Sequence, residues 1–167
     1  KACVWHIWHT YSLAGFGKAR VLIMTDREYK SLVAEAFQAM EKAYVPYSGF
    51  QVGAALLAER TEDGNPVVYR GCNIENAAYS PTNCAERTAF FKAVSEGERS
   101  FRAIAVVGGM HGLVTEFAMP CGVCRQVMQE FCDPDTFEIV TAVSEDKYQV
   151  RRLRELLPEG FGGQMLR

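Results

Sequence analysis

The segment Cys84-Ala85-Glu86-Arg87 decides the character of this chain, together with a second segment, Pro120-Cys121-Gly122-Val123-Cys124-Arg125. The two segments offer three cysteine thiolates to one metal ion, which leaves a fourth tetrahedral position for water. Catalytic zinc sites keep such an open position, whereas structural zinc sites are usually closed by four protein ligands. Glu86 follows the first cysteine by two residues, where it can hold a metal-bound water without binding the metal. The spacing therefore predicts a zinc-dependent hydrolase with three cysteine ligands and Glu86 as its catalytic group.

The predicted ligands Cys84, Cys121 and Cys124 all fall at the starts of predicted helices. Unpaired amides and the positive end of the helix dipole stabilise thiolates there, and the thiolate is the form that binds metal. Side chains two residues apart on a regular helix point to nearly opposite sides. We therefore expect Cys84 to cap its helix and Glu86 to lie in the first turn, so that both can face one water.

The charge of such a site needs compensation. Three thiolates leave a zinc dication with a formal charge of −1, and ionised Glu86 makes the site more negative. It acidifies water effectively only if cations or amides withdraw charge from the sulfurs. Arg87 is placed to do this, whereas Arg125 is interpreted as a solvated charge on its helix face.

Hydrophobic periodicity and turn residues predict alternating strands and helices, so that helices pack on the faces of a sheet. Thr25 and Glu28 form a predicted capping box, and the helix that follows is predicted to run to Tyr44 and to end at Pro46. The other predicted elements are strands over 51–59, 67–72, 101–107 and 137–143, helices over 84–95 and 122–131, loops over 73–83 and 108–119, and a short strand over 148–151 before a last helical turn.

Composition narrows the function classes. The 167 residues fit one domain, and no run approaches the roughly 20 apolar residues of a membrane span. Without residues 1–23, which carry three basic residues and no acid, 15 basic residues face 20 acidic ones, a net charge of −5. An acidic body disfavours nucleic acid as a partner. Six cysteines, three of them at metal-ligand spacing, favour a reduced, cytoplasmic protein over a disulfide framework.

Residues 1–23 are interpreted as an extension outside the fold, with a single domain over 24–167. The extension lacks the continuous apolar core of a signal peptide and is poor in Arg and Ser for a transit peptide. Met24, followed by a helix-start signal, is typical of a natural initiator. The extension is therefore interpreted as a tag or read-through product, with an ordered arm as the alternative.

Five ordered motifs resemble the cytidine deaminase family, specifically its small homotetrameric three-cysteine class. They are Pro46-Tyr47-Ser48-Gly49-Phe50 with Val52-Gly53-Ala54-Ala55, Gly71-Cys72-Asn73-Ile74-Glu75-Asn76-Ala77, the two cysteine segments, and Leu156-Leu157-Pro158 with Phe161. The cysteine spacing is the signature of zinc deaminases. The resemblance implies a three-layer α/β/α fold around a mixed sheet of about five strands, one zinc ion per subunit and a role in pyrimidine salvage.

The reaction implied by the resemblance is hydrolytic deamination of cytidine and deoxycytidine. Metal-activated water attacks C4 of cytosine, while Glu86 takes the water proton, delivers it to N3 and later helps to protonate the departing amine. A carboxylate suits this shuttle because it must accept and donate within one turnover.

The resemblance also implies the substrate contacts. Phe50 would lie against the nucleoside, Asn73 and Glu75 would hold the ribose, and Ala85 would offer its backbone to the pyrimidine edge. Glu75 can accept from a hydroxyl but would repel a phosphate, so a free nucleoside fits and an internal nucleotide does not. Without the family, Phe50 would be interpreted as a core residue, and Asn73 and Glu75 as polar loop residues.

Two further aromatic residues are implied to act across subunits. Tyr79 and Phe161 would reach a neighbouring subunit's site, which makes each active site of the homotetramer composite. The alternative for Phe161 is a hydrophobic plug on its own domain. His111 is interpreted as exposed and not as a fourth ligand, since such a ligand would close the water position.

Three other functions remain open. A deaminase of another aminopyrimidine nucleoside, of the blasticidin type, shares C-A-E and P-C-G-x-C-R-Q. A zinc-stabilised binding domain without turnover is disfavoured by the three-thiolate set and its adjacent Glu86. A polynucleotide-editing deaminase is disfavoured by the acidic body and the lack of a basic, aromatic-interleaved stripe.

Overall fold

A five-stranded mixed sheet lies at the centre of the chain, as described for residues 24–166 by a computed structural model. Its strands are β1 (Phe50–Glu62), β2 (Asn65–Cys72), β3 (Phe101–Met110), β4 (Glu138–Ser144) and β5 (Lys147–Arg152). They follow the order β2-β1-β3-β4-β5, with β3 and β4 parallel and every other neighbouring pair antiparallel. The predicted extension, residues 1–23, lies outside the described residues.

Helices cover both faces of this sheet. They are α1 (Asp26–Met40), α2 (Ala85–Ser95), α3 (Gly122–Phe131) and the single turn α4 (Leu153–Leu156), with a 3-10 turn at Gly163–Leu166. Successive strand side chains point to opposite faces, so Ala55 and Leu57 join the core under α1, while Ala54 and Leu56 join the core under α2 and α3. The predicted three-layer α/β/α fold with a mixed sheet of about five strands is confirmed. None of the helices in this part of the chain is long and apolar enough to cross a bilayer.

The first helix begins as predicted. The Thr25 hydroxyl accepts a hydrogen bond from the Glu28 amide at 3.3 Å, and the Glu28 carboxylate accepts one from the Thr25 amide at 2.6 Å. These reciprocal bonds form the predicted capping box. The helix then buries Leu32, Val33 and Ala36 against the sheet.

The same helix ends earlier than predicted, at Met40. The prediction that it continues to Tyr44 and stops at Pro46 is wrong. Tyr44 donates its amide hydrogen to the Asn73 carbonyl at 3.0 Å and accepts from the Glu75 amide at 2.8 Å. Because Tyr44 pairs with the 73–83 loop, the helix cannot continue through this residue. The loop itself is irregular, as predicted.

Two strands are longer than the apolar pattern predicts. β1 continues to Glu62 and meets β2 in a turn at Asp63-Gly64, where both residues have positive φ. β3 continues to Met110, so the prediction of a loop from Gly108 is wrong. Gly108 and Gly109 pair with Val52 and Gln51 at the start of β1. Strand pairing uses backbone groups, which glycine has like any other residue, so the apolar pattern of side chains does not reveal it. Each remaining element end lies within two residues of its predicted position.

Two glycines allow helices to come unusually close to the sheet. A Cβ atom on Gly71 of β2 would lie 2.4 Å from both Ala85 O and Ala89 N of α2. A Cβ on Gly53 of β1 would lie 2.1 Å from Ala36 O of α1, on the opposite face. Ordinary contacts of a Cβ begin near 3.4 Å, so only glycine permits these approaches. Gly71 thereby sets the distance between β2 and the first turn of α2, where the candidate site begins.

Candidate active site

Three cysteine sulfurs meet at the N-terminal ends of α2 and α3. The Sγ atoms of Cys84 and Cys121 lie 3.9 Å apart, and those of Cys121 and Cys124 lie 3.4 Å apart. All three lie within 4.8 Å of one another. Among the described residues, this is the one group of three or more His, Cys, Asp or Glu side chains close enough to share a metal ion. The structure therefore brings the three predicted ligands together.

Helix capping explains why these cysteines converge. Cys84 is the N-cap of α2 and Cys121 is the N-cap of α3, each with an extended backbone. Cys124 lies in the first turn of α3, and its amide donates to Cys121 Sγ at 3.4 Å. Both helices thus direct unpaired amides and the positive ends of their dipoles at the sulfurs, as predicted.

The ionisation of Cys84 and that of Cys124 oppose one another. A hydrogen bond with Cys124, and then the nearby Arg87, lowers the pKa of Cys84 to about 5. The same hydrogen bond, followed by burial and the charge of Glu86, raises the pKa of Cys124. One thiolate therefore forms at the expense of its neighbour. Such a donor set ionises fully only when a cation neutralises it.

The sulfur spacing fits zinc. Tetrahedral zinc with Zn–S bonds of about 2.3 Å places its sulfur ligands roughly 3.8 Å apart. The separations of 3.4 and 3.9 Å lie on either side of that value. Within residues 24–166 no fourth side chain joins the cluster. His111 is exposed, as predicted, and its ring lies against Gly49. Three protein ligands correspond to a catalytic zinc site, whose fourth position takes water or substrate.

Arg87 contacts the ligand sulfurs. Its Nη2 atom donates to Cys84 Sγ at 3.4 Å and to the Thr82 carbonyl at 3.3 Å. Its Nε atom is buried and has no hydrogen-bond partner among the described residues. The guanidinium is therefore held over the thiolate, where it can withdraw negative charge from sulfur.

Arg125 has a different role from the one predicted. Its Nε atom donates to the Pro120 carbonyl at 2.8 Å, and its Nη1 atom donates to the Leu156 carbonyl at 3.0 Å. The prediction of a solvated charge on the helix face is wrong, because the side chain is partly buried and joins two backbone segments. The sequence pattern does not reveal these partners, since Leu156 is distant along the chain.

Glu86 is a buried acid beside the sulfurs. Its side chain lies in the first turn of α2, as predicted, and the residue is only 4% exposed. Burial raises its pKa to about 7, and the negative charge of Cys84 contributes to the rise. A carboxyl with a pKa near neutrality can both accept and donate a proton. Ala85, also fully buried, places its backbone between Glu86 and the Cys84 cap.

Asn73 holds the first residues of β1. Its Oδ1 atom accepts from the Val52 amide at 2.8 Å, and its Nδ2 atom donates to the Phe50 carbonyl at 2.9 Å. Phe50 is 38% exposed, so the interpretation of this residue as part of the core is wrong. These bonds use one of the two Nδ2 hydrogens of Asn73.

Glu75 holds the turn before β1. Its Oε2 atom accepts from the amides of Tyr47 and Ser48 at 2.9 and 3.2 Å. A hydrogen bond with the Ser48 side chain, together with these two amides, keeps the pKa of Glu75 below its usual value. The carboxylate is therefore anionic near neutral pH and can accept further hydrogen bonds.

Comparison with known proteins identifies the family. The sequence model described as "Cytidine and deoxycytidylate deaminase zinc-binding region" matches residues 26–140, more than half of the chain. The chain belongs to this deaminase family. Cytidine deaminase of Sporosarcina psychrophila is 54% identical over 134 residues, which cover 80% of this chain and 91% of that protein. Cytidine deaminase of Mycobacterium tuberculosis H37Rv is 41% identical over 139 residues, which cover 83% and 93% respectively.

Solved structures agree with this assignment. The 1.6 Å crystal structure of cytidine deaminase from Burkholderia pseudomallei matches with a TM-score of 0.69 and 45% identity, covering 83% of this chain and 100% of that one. The crystal structure of the Mycobacterium tuberculosis cytidine deaminase matches with a TM-score of 0.66 and 41% identity, covering 81% and 98%. The fold predicted from the family resemblance is therefore that of solved members of this deaminase family.

Tyr79 and Phe161 lie on the surface of the described part of the chain. Tyr79 is 77% exposed with a positive φ of 56°, and its ring centroid lies 6.4 Å from that of Tyr47. Phe161 is 53% exposed, which does not fit a hydrophobic plug on its own domain.

Sequence reasoning missed Gln126. Its Nε2 atom donates to the Phe161 carbonyl at 2.8 Å. The one signal for it in the sequence is its position two residues after the last cysteine ligand, on the same helix.

Proposed function

We propose that this protein deaminates cytidine and deoxycytidine to uridine and deoxyuridine, with one zinc ion per subunit. The observation that carries the proposal is a buried carboxyl, Glu86, beside three cysteine sulfurs at zinc-ligand spacing. A second support is the 54% identity with a curated cytidine deaminase over 80% of the chain.

The metal would be held by Cys84, Cys121 and Cys124. When bound, zinc supplies the Lewis acidity that makes water nucleophilic near neutral pH. Arg87 shares the charge of Cys84 through its hydrogen bond, and two helix N-termini share the charge of the whole set. These contacts counter the electron donation of three thiolates, which would otherwise weaken the acidity of the site.

Glu86 moves the protons of the reaction. It accepts a proton from the attacking water as the new C4–O bond forms, and it delivers that proton to N3 of the pyrimidine. It then takes the proton of the new C4 hydroxyl and passes it to the 4-amino group, so that the C4–N bond breaks, ammonia leaves and the carbonyl of uridine forms. Burial favours the neutral form of the acid, which supports donation late in the cycle.

The nucleoside would bind between Phe50 and the polar pair formed by Asn73 and Glu75. The exposed Phe50 ring offers an apolar face, and Asn73 holds the Phe50 backbone through its hydrogen bond to the carbonyl. Asn73 can donate its second amide hydrogen to a ribose hydroxyl, and Glu75 can accept from one. The anionic Glu75 disfavours a phosphate at the same place. Ala85 would offer its backbone to the pyrimidine edge.

The active sites would be composite within a homotetramer. Tyr79 and Phe161 are largely exposed in the single subunit, as expected of side chains that act on a neighbour. A monomeric form should then be nearly inactive. Size-exclusion chromatography paired with activity tests this expectation, and an active monomer refutes it.

The same proposal sets the cellular context. The five cysteines in the described part of the chain are free thiols, which supports a reduced, cytoplasmic compartment. The family match supports a role in pyrimidine salvage. Residues 24–167 would form the single catalytic domain, with residues 1–23 outside it.

A spectrophotometric assay tests the proposed reaction. Loss of cytidine absorbance with release of one ammonia per nucleoside is the expected result, for both cytidine and deoxycytidine. Blasticidin S serves as the competing aminopyrimidine substrate. Turnover of blasticidin S in preference to cytidine would reassign the substrate, and zinc-loaded protein without any turnover would leave a non-catalytic zinc domain.

A further inference from the structure

A segment that begins at Leu156, the last residue of α4, lies along α3. We call residues 156–162 the tail segment. At its start, the Leu156 carbonyl accepts the hydrogen bond from Arg125 at 3.0 Å. Near its end, the Phe161 carbonyl accepts the hydrogen bond from Gln126 at 2.8 Å. Two consecutive side chains of α3 therefore attach the tail segment at both ends.

Close packing fixes the tail segment between these two bonds. Gly160 is buried, and a Cβ at that position would lie 2.8 Å from Gln129 Oε1 and 2.9 Å from Leu157 Cδ2. Glu159 before it has a positive φ of 57°. The backbone thus comes close to the Gln129 side chain of α3 at a glycine, and a larger residue there would have to displace the side chains of Gln129 and Leu157.

The Phe161 ring nevertheless points away from this packing. Gly160 and Gly162 on either side of it are buried, while Phe161 is 53% exposed. The backbone is held and the aromatic ring is presented outward. Side chains presented from a fixed backbone contribute to binding at low entropic cost.

We propose that Gln126 is a positioning residue for Phe161, and that it acts on the active site of a neighbouring subunit. The inference rests on the proposed function, in which the Phe161 ring lies near the base bound next door. Arg125 assists by attaching the start of the tail segment to Pro120, the residue before Cys121. One helix therefore holds metal ligands for its own site and orients the aromatic ring supplied to another.

The contact from Gln126 can be removed without touching a ligand. Gln126 is exposed and donates through its side-chain amide, so Gln126→Ala deletes the bond, and Gln126→Glu keeps the size but cannot donate. Glu130→Ala is the matched control, because Glu130 is an exposed residue of the same helix whose side chain makes no hydrogen bond or ion pair within residues 24–166. Arg125 is a poorer target because it also holds the backbone beside a ligand.

Steady-state kinetics of tetramers with cytidine test the inference. We expect Gln126→Ala and Gln126→Glu to raise KM about fivefold, the factor that corresponds to one hydrogen bond of ordinary net strength. Both variants should keep kcat and zinc content, and Glu130→Ala should match the wild type. Phe161→Ala should lose about 5- to 150-fold in kcat/KM, as for a lost base-stacking contact. The double variant of Gln126 and Phe161 should be no worse than Phe161→Ala, because Gln126 acts only through that ring.

Two results would overturn the inference while leaving the composite site intact. One is an additive loss in the double variant, which would mean that Gln126 acts by another route. The other is an unchanged KM in both Gln126 variants while Phe161→Ala is impaired. An unimpaired Phe161→Ala tetramer would instead overturn the composite site itself, and this inference with it.

Discussion

Replacing Gly71 by alanine tests whether the packing of α2 on the sheet sets the geometry of the metal site. The new Cβ would lie 2.4 Å from Ala85 O and Ala89 N, whereas ordinary contact begins near 3.4 Å. Both atoms belong to the helix backbone, so no side-chain rotation relieves the overlap. The first turns of α2 must therefore move away from β2 by about 1 Å.

This displacement has two measurable consequences. Overpacking of this kind costs about 1–3 kcal/mol of stability, which lowers the melting temperature by several degrees in a domain of this size. The moving turn also carries Cys84 and Glu86. A displacement of about 1 Å at a catalytic group can cost roughly 100-fold in turnover. We therefore expect Gly71→Ala to lose zinc affinity and kcat as well as stability.

Gly53→Ala is the matched control. Its Cβ would lie 2.1 Å from Ala36 O, so it displaces α1 on the opposite face of the sheet. α1 carries none of the proposed ligands or catalytic groups, so this variant should lose similar stability but keep zinc and turnover when folded. Thermal melting, zinc analysis and cytidine kinetics on both variants are the assays. Equal zinc affinity and kcat in Gly71→Ala and the wild type would show that the packing of α2 on β2 does not set the geometry of the metal site.

Three further predictions follow from single contacts. Arg87→Gln should weaken zinc retention or turnover by about 10- to 100-fold, because the positive charge beside the Cys84 sulfur is lost. Chelator competition measures retention and cytidine kinetics measures turnover, and no change in either would contradict this prediction. Mixed tetramers of Glu86→Gln and Phe161→Ala subunits should be more active than either parent variant, because some sites then combine an intact Glu86 from one subunit with an intact Phe161 from its neighbour. Mixed tetramers no more active than the parents would count against composite sites. Thr25→Ala should lower the free energy of unfolding by about 1 kcal/mol without changing kcat/KM. Hydrogen bonds with Thr25 lower the pKa of Glu28. Their contribution to the free energy of unfolding is therefore present above the ordinary glutamate pKa and is lost as pH falls through the lowered pKa. Melting curves of both proteins across pH measure the size and the pH dependence of the loss.

The convergence of Cys84, Cys121 and Cys124 could be predicted from sequence because the geometry of these cysteines is local. Cys84 and Cys121 cap helices whose starts are visible in the hydrophobic pattern, and Cys124 follows Cys121 within one helical turn. The positions of the cysteines in the first turns of α2 and α3 therefore determine where the sulfurs point, once the N-terminal ends of these two helices lie together on one face of the sheet. The burial of Glu86 follows from the same placement.

The supporting contacts could not be predicted in this way. Asn73 and Glu75 each hold backbone more than 20 residues away, and Arg125 binds a carbonyl 31 residues away. Sequence periodicity describes which side of an element is buried but not which distant backbone group it meets. The early end of α1 has the same origin, because Tyr44 pairs with the 73–83 loop.

Turnover requires that the three cysteines leave one zinc position open beside Glu86, which transfers the proton. Zinc content and cytidine turnover measured on the same samples of wild-type and Glu86→Gln protein test it most directly. We predict about one zinc per subunit in both proteins and a loss of turnover of at least roughly 100-fold in the variant. Turnover near the wild-type rate in zinc-loaded Glu86→Gln protein would contradict the claim.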